Sequence, residues 1–358
     1  MTAPAGKALV YCAGGGIGDS LMASLAARAL HRRFASVDAL TLPSHRSTLE
    51  RVPDIEAVLV DDGDEDTIVK EIEARGYDAC IVTWATARTA RIAERARIPV
   101  RVGQARRLYS WRFTHRVPVR SELGDVTTHW SQIVLDYARA LDCDSDDAIP
   151  RFVPTDADVA QAEQLLVTLA LSKGNYVVLH PTNAIAPKRG IWPVQGWAAL
   201  ARALRAEFGV PVVLSGSAAD AQINAGILRR AQDDDRGQGD ERGRDDERGQ
   251  DDNIIDIAGK VGIGAFGALA QRARAFVGIT TGAMHVAAAV GAPTVGIFPF
   301  QTDTPERWAP IGASTAIVRA SYPCRPGERK ETCPDYACIA RLDVPRVLAV
   351  VRSLLGAR

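Results

Sequence analysis

Short apolar runs alternate along this chain with longer stretches whose apolar positions recur at helical spacing. The first run covers Lys7–Ala13, and others follow at Val37–Leu42, Ile55–Val60, Asp78–Thr83 and Pro99–Gly103. Helices are predicted between them: from a glycine-rich turn to about Arg33, over Asp64–Arg75, over Thr86–Arg97, and finally over Thr127–Leu141. This alternation predicts a parallel sheet with helices on both faces. The acidic stretch Asp142–Pro154 ends in proline and breaks the pattern. Beyond it the alternation restarts: helix Thr155–Leu171, strand Tyr176–His180, helix Val194–Phe208, strand Val210–Leu214 and a further helix. Strand Ile254–Ile257 and helix Val261–Ala273 follow, then a strand at Thr315–Val318 and a last helix at Val344–Leu355. A domain boundary is expected at the break, giving domains 1–150 and 151–342. The terminal helix, residues 343–358, is pictured packing back towards the first domain.

One stretch carries the strongest signal. Ala275–Phe298 reads as buried strand, glycine turn, helix, Gly-Ala-Pro turn and buried strand. Thr280, Thr281 and Gly282 fall where the first strand ends, and His285 lies on the first helical turn. Unpaired N–H groups and the positive dipole end at such a helix start suit a phosphate. A packed turn whose histidine caps or fills is the plainer alternative.

The glycine loop Gly14-Gly15-Gly16-Ile17-Gly18-Asp19 also joins a strand to a helix. Its spacing fails the dinucleotide fingerprint, and no Gly-Lys-Ser/Thr follows for a P-loop. Asp19 is either a helix cap or a general base at a cleft lip. The helix start lowers its pKa and burial raises it, and sequence leaves that balance open.

Composition narrows the picture further. The chain has 358 residues, 47% hydrophobic and 24% charged, with zero formal net charge. That length suits two domains, and the balance supplies no overall field to attract nucleic acid. No apolar run is long enough to span a bilayer, and the N-terminus lacks a secretion signal, so a cytoplasmic location is expected. The six cysteines form no disulfide framework, and Cys324, Cys333 and Cys338 lack a CxxC pair, which argues against zinc. The run Asp61–Asp66 reads as a helix start or solvated loop rather than a cation site.

Residues 88–120 hold ten arginines against one acid, Glu94, with Tyr109, Trp111 and Phe113 interleaved. Such a segment fits an anionic acceptor or anionic lipid headgroups; its plain alternative is a solvated, salt-bridged surface. After the strand ending at His180-Pro181, Lys188 and Arg189 precede Trp192-Pro193. Adjacent cations there suit a diphosphate. Residues 232–253 are almost wholly Asp, Arg, Gly, Gln and Glu and read as a disordered insertion.

Together these motifs resemble glycosyltransferase family 9, the ADP-heptose:lipopolysaccharide heptosyltransferases, over nearly the whole chain outside the insertion. Gly18-Asp19 looks like the family's Gly-Asp, whose acid is taken as the base. His180-Pro181 through Trp192-Pro193 resembles the donor loop, with two extra residues before Trp-Pro, so Lys188 and Arg189 compete for the phosphate role. Ser215-Gly216 with Asp220 is similar to the turn that brings an acid near the ribose. Thr281-Gly282-Ala283-Met284-His285 is the most specific match. Thr280 departs from the family, which has Asp before Thr-Gly, and so leaves the donor sugar open.

The resemblance implies an α/β fold of GT-B architecture, two doubly wound Rossmann-like domains facing a cleft. It implies metal-independent, inverting transfer of a sugar from a nucleotide-diphosphate donor, ADP-heptose, to an anionic lipopolysaccharide-core acceptor. Asp19 would be the base. Thr182, Lys188, Arg189, Ser215, Gly216, Asp220, Val261, Thr280, Thr281, Gly282 and His285 would meet the donor. Gly16, Gly18, Arg106 and Arg107 would meet the acceptor, with a peripheral contact at the inner membrane and no nucleic-acid partner. A GT-B nucleotide-sugar epimerase and a non-catalytic nucleotide-sugar binder are the competing readings.

Overall fold

A computed structural model describes residues 4–182, 192–237, 253–300, 304–325, 333 and 336–356. The chain divides into two compact units. The first is Met1–Val153 with Glu306–Trp308, and the second is Pro154–Pro305 with Ala309–Arg358.

The first unit runs β1 (Lys7–Tyr11), α1 (Ile17–Leu30), β2 (Ser36–Thr41), α2 (Arg46–Leu49), β3 (Val58–Val60), α3 (Glu65–Arg75), β4 (Ala79–Val82), α4 (Ala87–Arg95), β5 (Val100–Gln104), β6 (His115–Val117) and α5 (Trp130–Arg139). Among the described residues its six strands form one parallel sheet in the order β3-β2-β1-β4-β5-β6. β1 lies between β2 and β4, with Leu9 level with Asp38 on one side and Cys80 on the other. Ala8–Tyr11 are buried, as a strand covered on both faces requires.

The second unit begins with α6 (Asp156–Thr168), β7 (Val177–His180), α7 (Val194–Phe208), β8 (Val212–Leu214), α8 (Ala221–Gly237) and β9 (Ile254–Asp256). It continues with α9 (Ile263–Arg272), β10 (Ala275–Ile279), α10 (Gly282–Ala289) and β11 (Thr294–Phe298); after α11 (Pro305–Trp308), of which Glu306–Trp308 belong to the first unit, come β12 (Thr315–Arg319), α12 (Ala337–Ala340) and α13 (Val344–Gly356). Its sheet order, β12-β11-β10-β7-β8-β9, is the same winding as the first, and every described pair is parallel.

Departures from the sequence reading have local causes. β6 is short and exposed at a sheet edge, so it lacks the apolar run by which strands are recognised. α5 starts at Trp130 because the Asp125 carboxylate takes the N–H groups of Thr127 and Thr128, and His129 Nδ1 then accepts from Ser131 N–H. α8 carries on to Gly237, so residues 232–237 extend a helix instead of opening the insertion. No helix breaker intervenes before Gly237. Residues 238–252 lie outside the described residues. The last helix buries Val347 and Val351 in the core of its own unit.

Among the described residues of the first unit the carboxylates of Asp38 and Asp61 are both buried. Asp61, after β3, is 4% exposed. Arg88 Nη2 donates to its Oδ1 at 2.8 Å, Arg88 Nη1 donates to its Oδ2, and Tyr11 OH donates to Oδ2 as well. Burial pushes the Asp61 pKa up, but these donors outweigh it and hold the carboxyl below its ordinary 3.8. Its contribution is thus present above pH 3.8 and lost as pH falls through the lower folded value. Arg88→Met should strand the buried carboxylate and cost about 2–3 kcal/mol, discounted because the guanidinium is partly exposed. Urea denaturation at neutral pH checks this. A cost within about 0.5 kcal/mol of zero would show that the pair contributes nothing net.

Candidate active site

Open parallel sheets bind ligands outside the carboxyl ends of their strands, where the strand order reverses. In the first unit that point lies between β1 and β4, and in the second between β7 and β10. Each holds residues singled out from the sequence.

In the first unit the loop after β1 is shaped by what its glycines touch. Gly15 takes the left-handed conformation, φ +68°, and a Cβ there would lie 2.4 Å from Asp19 Oδ2. A Cβ on Gly14 would lie 2.0 Å from Trp84 Cδ1. Neither position accepts a side chain without displacing its neighbour. Asp19 stands on the first turn of α1, and Gly16 N–H donates to its Oδ2 at 2.7 Å. Its other oxygen, Oδ1, is buried with no partner. Burial raises the carboxyl above its ordinary 3.8, and the N–H groups of Gly16 and Asp19 itself offset this only in part. The two sequence readings therefore coexist: Oδ2 caps the helix, and Oδ1 is left for another donor. Gly16 is the cap residue, its N–H taken by Asp19, and Gly18 sits in the first turn. Behind them Ser20 Oγ meets His45 Nδ1 at 2.9 Å, and burial lowers the His45 pKa.

In the second unit β10 pairs with β7 so that Gly278 lies level with His180. The chain then turns through Thr280 and Thr281. Thr281 caps α10, its Oγ1 accepting from Met284 N–H at 3.4 Å, and Gly282 begins the helix. His285 is buried on its first turn. Across the switch point, Thr182 is 2% exposed and its hydroxyl has no partner.

His180 Nδ1 lies 3.0 Å from Ser215 Oγ, whose own proton goes to Leu179 O. Burial pushes the His180 pKa down to about 4, against the pull of Asp220, so the ring is neutral at pH 7. Gly216 lies against Asp220, whose Oδ2 accepts from the backbone N–H and the hydroxyl of Ser217, both at 2.7 Å. Gly259 N–H donates to Gly216 O at 3.0 Å, tying the loop that carries Val261 to the turn after β8. Thr182, Ser215, Gly216, Asp220, Val261, Thr280, Thr281, Gly282 and His285 thus all sit on loops or first turns of this unit. Lys188 and Arg189 lie outside the described residues.

The arginine-rich segment is largely neutralised by nearby acids. Arg88 pairs with Asp61, Arg91 with Glu65, Arg95 with Glu65 and Asp66, Arg107 with Glu122, Arg112 with Glu94 and Arg120 with Asp136. Arg101 holds the backbone carbonyls of Ile98 and Arg112. The acidic run supplies several of these partners while Asp64 caps α3. Arg106 is exposed and bends the chain at φ +64°. Its guanidinium makes no ion pair among the described residues. The interleaved aromatics also separate: Phe113 is buried, Tyr109 OH donates to Ala85 O, and Trp111 is exposed under Arg112.

Among the described residues no group of three His, Cys, Asp or Glu side chains could hold a metal ion. Sequence reasoning overlooked Trp84 and the bonding of His180. The position of Trp84 matters only because β4 neighbours β1, a fact of strand order that hydrophobic spacing does not carry.

The model of glycosyltransferase family 9 (heptosyltransferase) matches residues 67–337. Among solved structures, ADP-heptose LPS heptosyltransferase II of E. coli is 21% identical, covers 98% of each chain and gives a TM-score of 0.76. E. coli heptosyltransferase WaaC with ADP is 16% identical over 97% of this chain and 99% of its own, with a TM-score of 0.70. The dodecameric iron-containing heptosyltransferase TibC, in complex with ADP-D-beta-D-heptose, is 14% identical over 100% of this chain and 78% of its own, with a TM-score of 0.54. No curated protein sequence matches the chain. Identities this low establish the fold alone, two doubly wound α/β units of the GT-B class. The family match covers most of the chain, and on that ground this protein is a glycosyltransferase and belongs to glycosyltransferase family 9 (heptosyltransferase).

Proposed function

We propose that this enzyme transfers a heptosyl group, with inversion, from ADP-heptose to an anionic glycan of the lipopolysaccharide core. The acceptor hydroxyl gives its proton to Asp19 Oδ1 and attacks the anomeric carbon; the bond to the diphosphate oxygen breaks and ADP leaves. The observation that carries this reading is the buried, unpartnered Oδ1 on a carboxyl whose pKa is raised. A base needs a free lone pair and some basicity, and a carboxylate used wholly for capping has neither.

The donor reading rests on the second unit. N–H groups at the start of α10 suit the diphosphate, as do the cations Lys188 or Arg189, which follow β7 in the sequence. The Thr182 hydroxyl and His285 lie on the same two loops, and Thr280 stands where the donor sugar would be read. Ser215, Gly216, Asp220 and Val261 frame the turns suited to the ribose and base. Amides and cations stabilise the departing diphosphate in this scheme, so no metal step is assigned. On the acceptor side, Gly16 and Gly18 flank the base, and Arg106 offers charge for a phosphorylated or carboxylated glycolipid, with Arg107 able to join it only in exchange for its pair with Glu122. No helix among the described residues is long and apolar enough to cross a membrane. The proposed setting is the cytoplasmic face of the inner membrane, touched peripherally.

Asp19→Asn should lower kcat by about 10²–10⁴-fold and leave ADP affinity unchanged. In the parent enzyme kcat/KM should rise with pH through the elevated pKa of Asp19, and that limb should vanish in the variant. Full turnover by Asp19→Asn would remove it from catalysis. A thermal-shift screen of ADP-, GDP- and UDP-sugars should give the largest rise in Tm with ADP-sugars, and His285→Ala should weaken that binding about tenfold. An equal shift for all three nucleotides would sink the donor assignment. Activity should survive EDTA; loss on chelation with recovery on adding iron or another metal would overturn the metal-free scheme.

A further inference from the structure

Trp84 is a large aromatic side chain left 41% exposed on a segment that is otherwise fixed in place. On one side of it, Thr83 N–H donates to Tyr11 O at 3.1 Å, joining the segment to the end of β1. On the other, Ala85 O accepts from Tyr109 OH at 2.6 Å, and Thr86 caps α4 through Thr89. The segment therefore leaves the indole little freedom to fold back into the core.

The indole is seated on Gly14. A Cβ built there would lie 2.0 Å from Trp84 Cδ1, 2.3 Å from Cγ and 2.6 Å from Nε1, so the five-membered ring covers the place where a side chain would be. The next residue, Gly15, is in the same relation to the Asp19 carboxylate. Two adjacent glycines thus hold an indole and a carboxylate with an unpartnered oxygen on one loop, at the switch point of the first sheet. Among the described residues no other ring or cation stacks on the indole. Exposed apolar area of this kind is costly in water, and a ligand that covers it gains what the exposure costs.

We propose that Trp84 is the floor of a pyranose subsite for the acceptor. One face of a pyranose is a patch of C–H groups, which packs on the electron-rich face of an indole, while its edge carries hydroxyls. A ring laid on Trp84 presents an edge hydroxyl to the carboxylate across the Gly14–Gly15 step. This rests on the reading of Asp19 as the base and of the first unit as the acceptor side. Trp84 acts as a positioning residue, setting which hydroxyl reaches Oδ1, and takes no part in proton transfer.

The test uses the full-length enzyme, a deacylated lipopolysaccharide-core oligosaccharide as probe and ADP in a separate titration. The indole N–H resonance of Trp84, identified by its absence in Trp84→Phe, should move saturably with the oligosaccharide and stay still with ADP. Trp84→Ala should raise the acceptor KM about tenfold, with kcat and ADP affinity within about twofold, and Trp84→Phe should recover most of the loss. Gly14→Ala, which displaces the indole without removing it, should resemble Trp84→Ala. An unmoved indole resonance while amides of residues 14–19 shift overturns the subsite and spares the base. So does an unchanged acceptor KM in Trp84→Ala when Asp19→Asn is inactive. If no first-unit resonance moves and Asp19→Asn is fully active, the acceptor assignment falls and takes the subsite with it.

Discussion

Two neighbouring parallel strands whose outgoing connections leave in opposite directions cannot have their carboxyl ends covered by either crossover. The rest of this molecule follows from that constraint. The crossover after β1 leads to β2 on one side, and the crossover after β4 leads to β5 on the other. Right-handed connections then carry the two helices to opposite faces of the sheet. A crevice is left between the loops Gly14–Asp19 and Thr83–Thr86. The same geometry opens the second sheet between His180–Thr182 and Thr280–His285. Asp19 Oδ1 and the Thr182 hydroxyl, both buried without a protein partner, stand on these loops.

Asp19 shows how one residue serves both structure and chemistry. A carboxylate in the first turn of a helix normally gains from the amides there, which lowers its pKa. Here the amides of Gly16 and of Asp19 itself act on the carboxylate, yet burial of the group prevails. The glycine loop explains the geometry. A left-handed Gly15 turns the chain sharply enough to bring the Gly16 N–H over Oδ2, and the missing Cβ leaves room for the carboxylate. Any other residue at 15 would meet both the strain of positive φ and a clash with Asp19. Thus Gly14 and Gly15, in a run that fits neither the dinucleotide fingerprint nor the P-loop, are accounted for by contacts inside the protein.

The sheets were legible in the sequence because strands buried on both faces read as unbroken apolar runs, as at Ala8–Tyr11 and Ala275–Ile279. α7 matched its predicted limits, Val194–Phe208, because Pro193 precedes it and a left-handed Gly209 ends it. Edge strand β6 was not legible, since His115 and Arg116 are exposed. Nor was the start of α5, where Asp125 captures backbone amides that the apolar spacing had assigned to a helix. At the candidate site, motif residues such as Thr281 and His285 could be placed on a turn from spacing alone. What spacing could not supply was adjacency: that β4 lies beside β1, that Trp84 rests on Gly14, or that His180 bonds Ser215.

Adjacency also decides what the cationic segment can do. Ten arginines in one stretch look like a field for any polyanion, but a field acts at a distance only if its charges are not locally matched. Asp61, Glu65, Asp66, Glu94, Glu122 and Asp136 lie within salt-bridge distance of six of these arginines. The acids come from α3, α4, α5 and the loops beside them, so the fold itself cancels the excess. What remains near the loop after β5 is a few exposed groups, Arg106 with the apolar Leu108 and Trp111. An acceptor recognised there must be read by short-range contact, through one or two anionic groups and its shape, rather than by overall charge. That places the burden of acceptor choice on the surfaces nearest the base, where a ring can be held flat and one hydroxyl singled out.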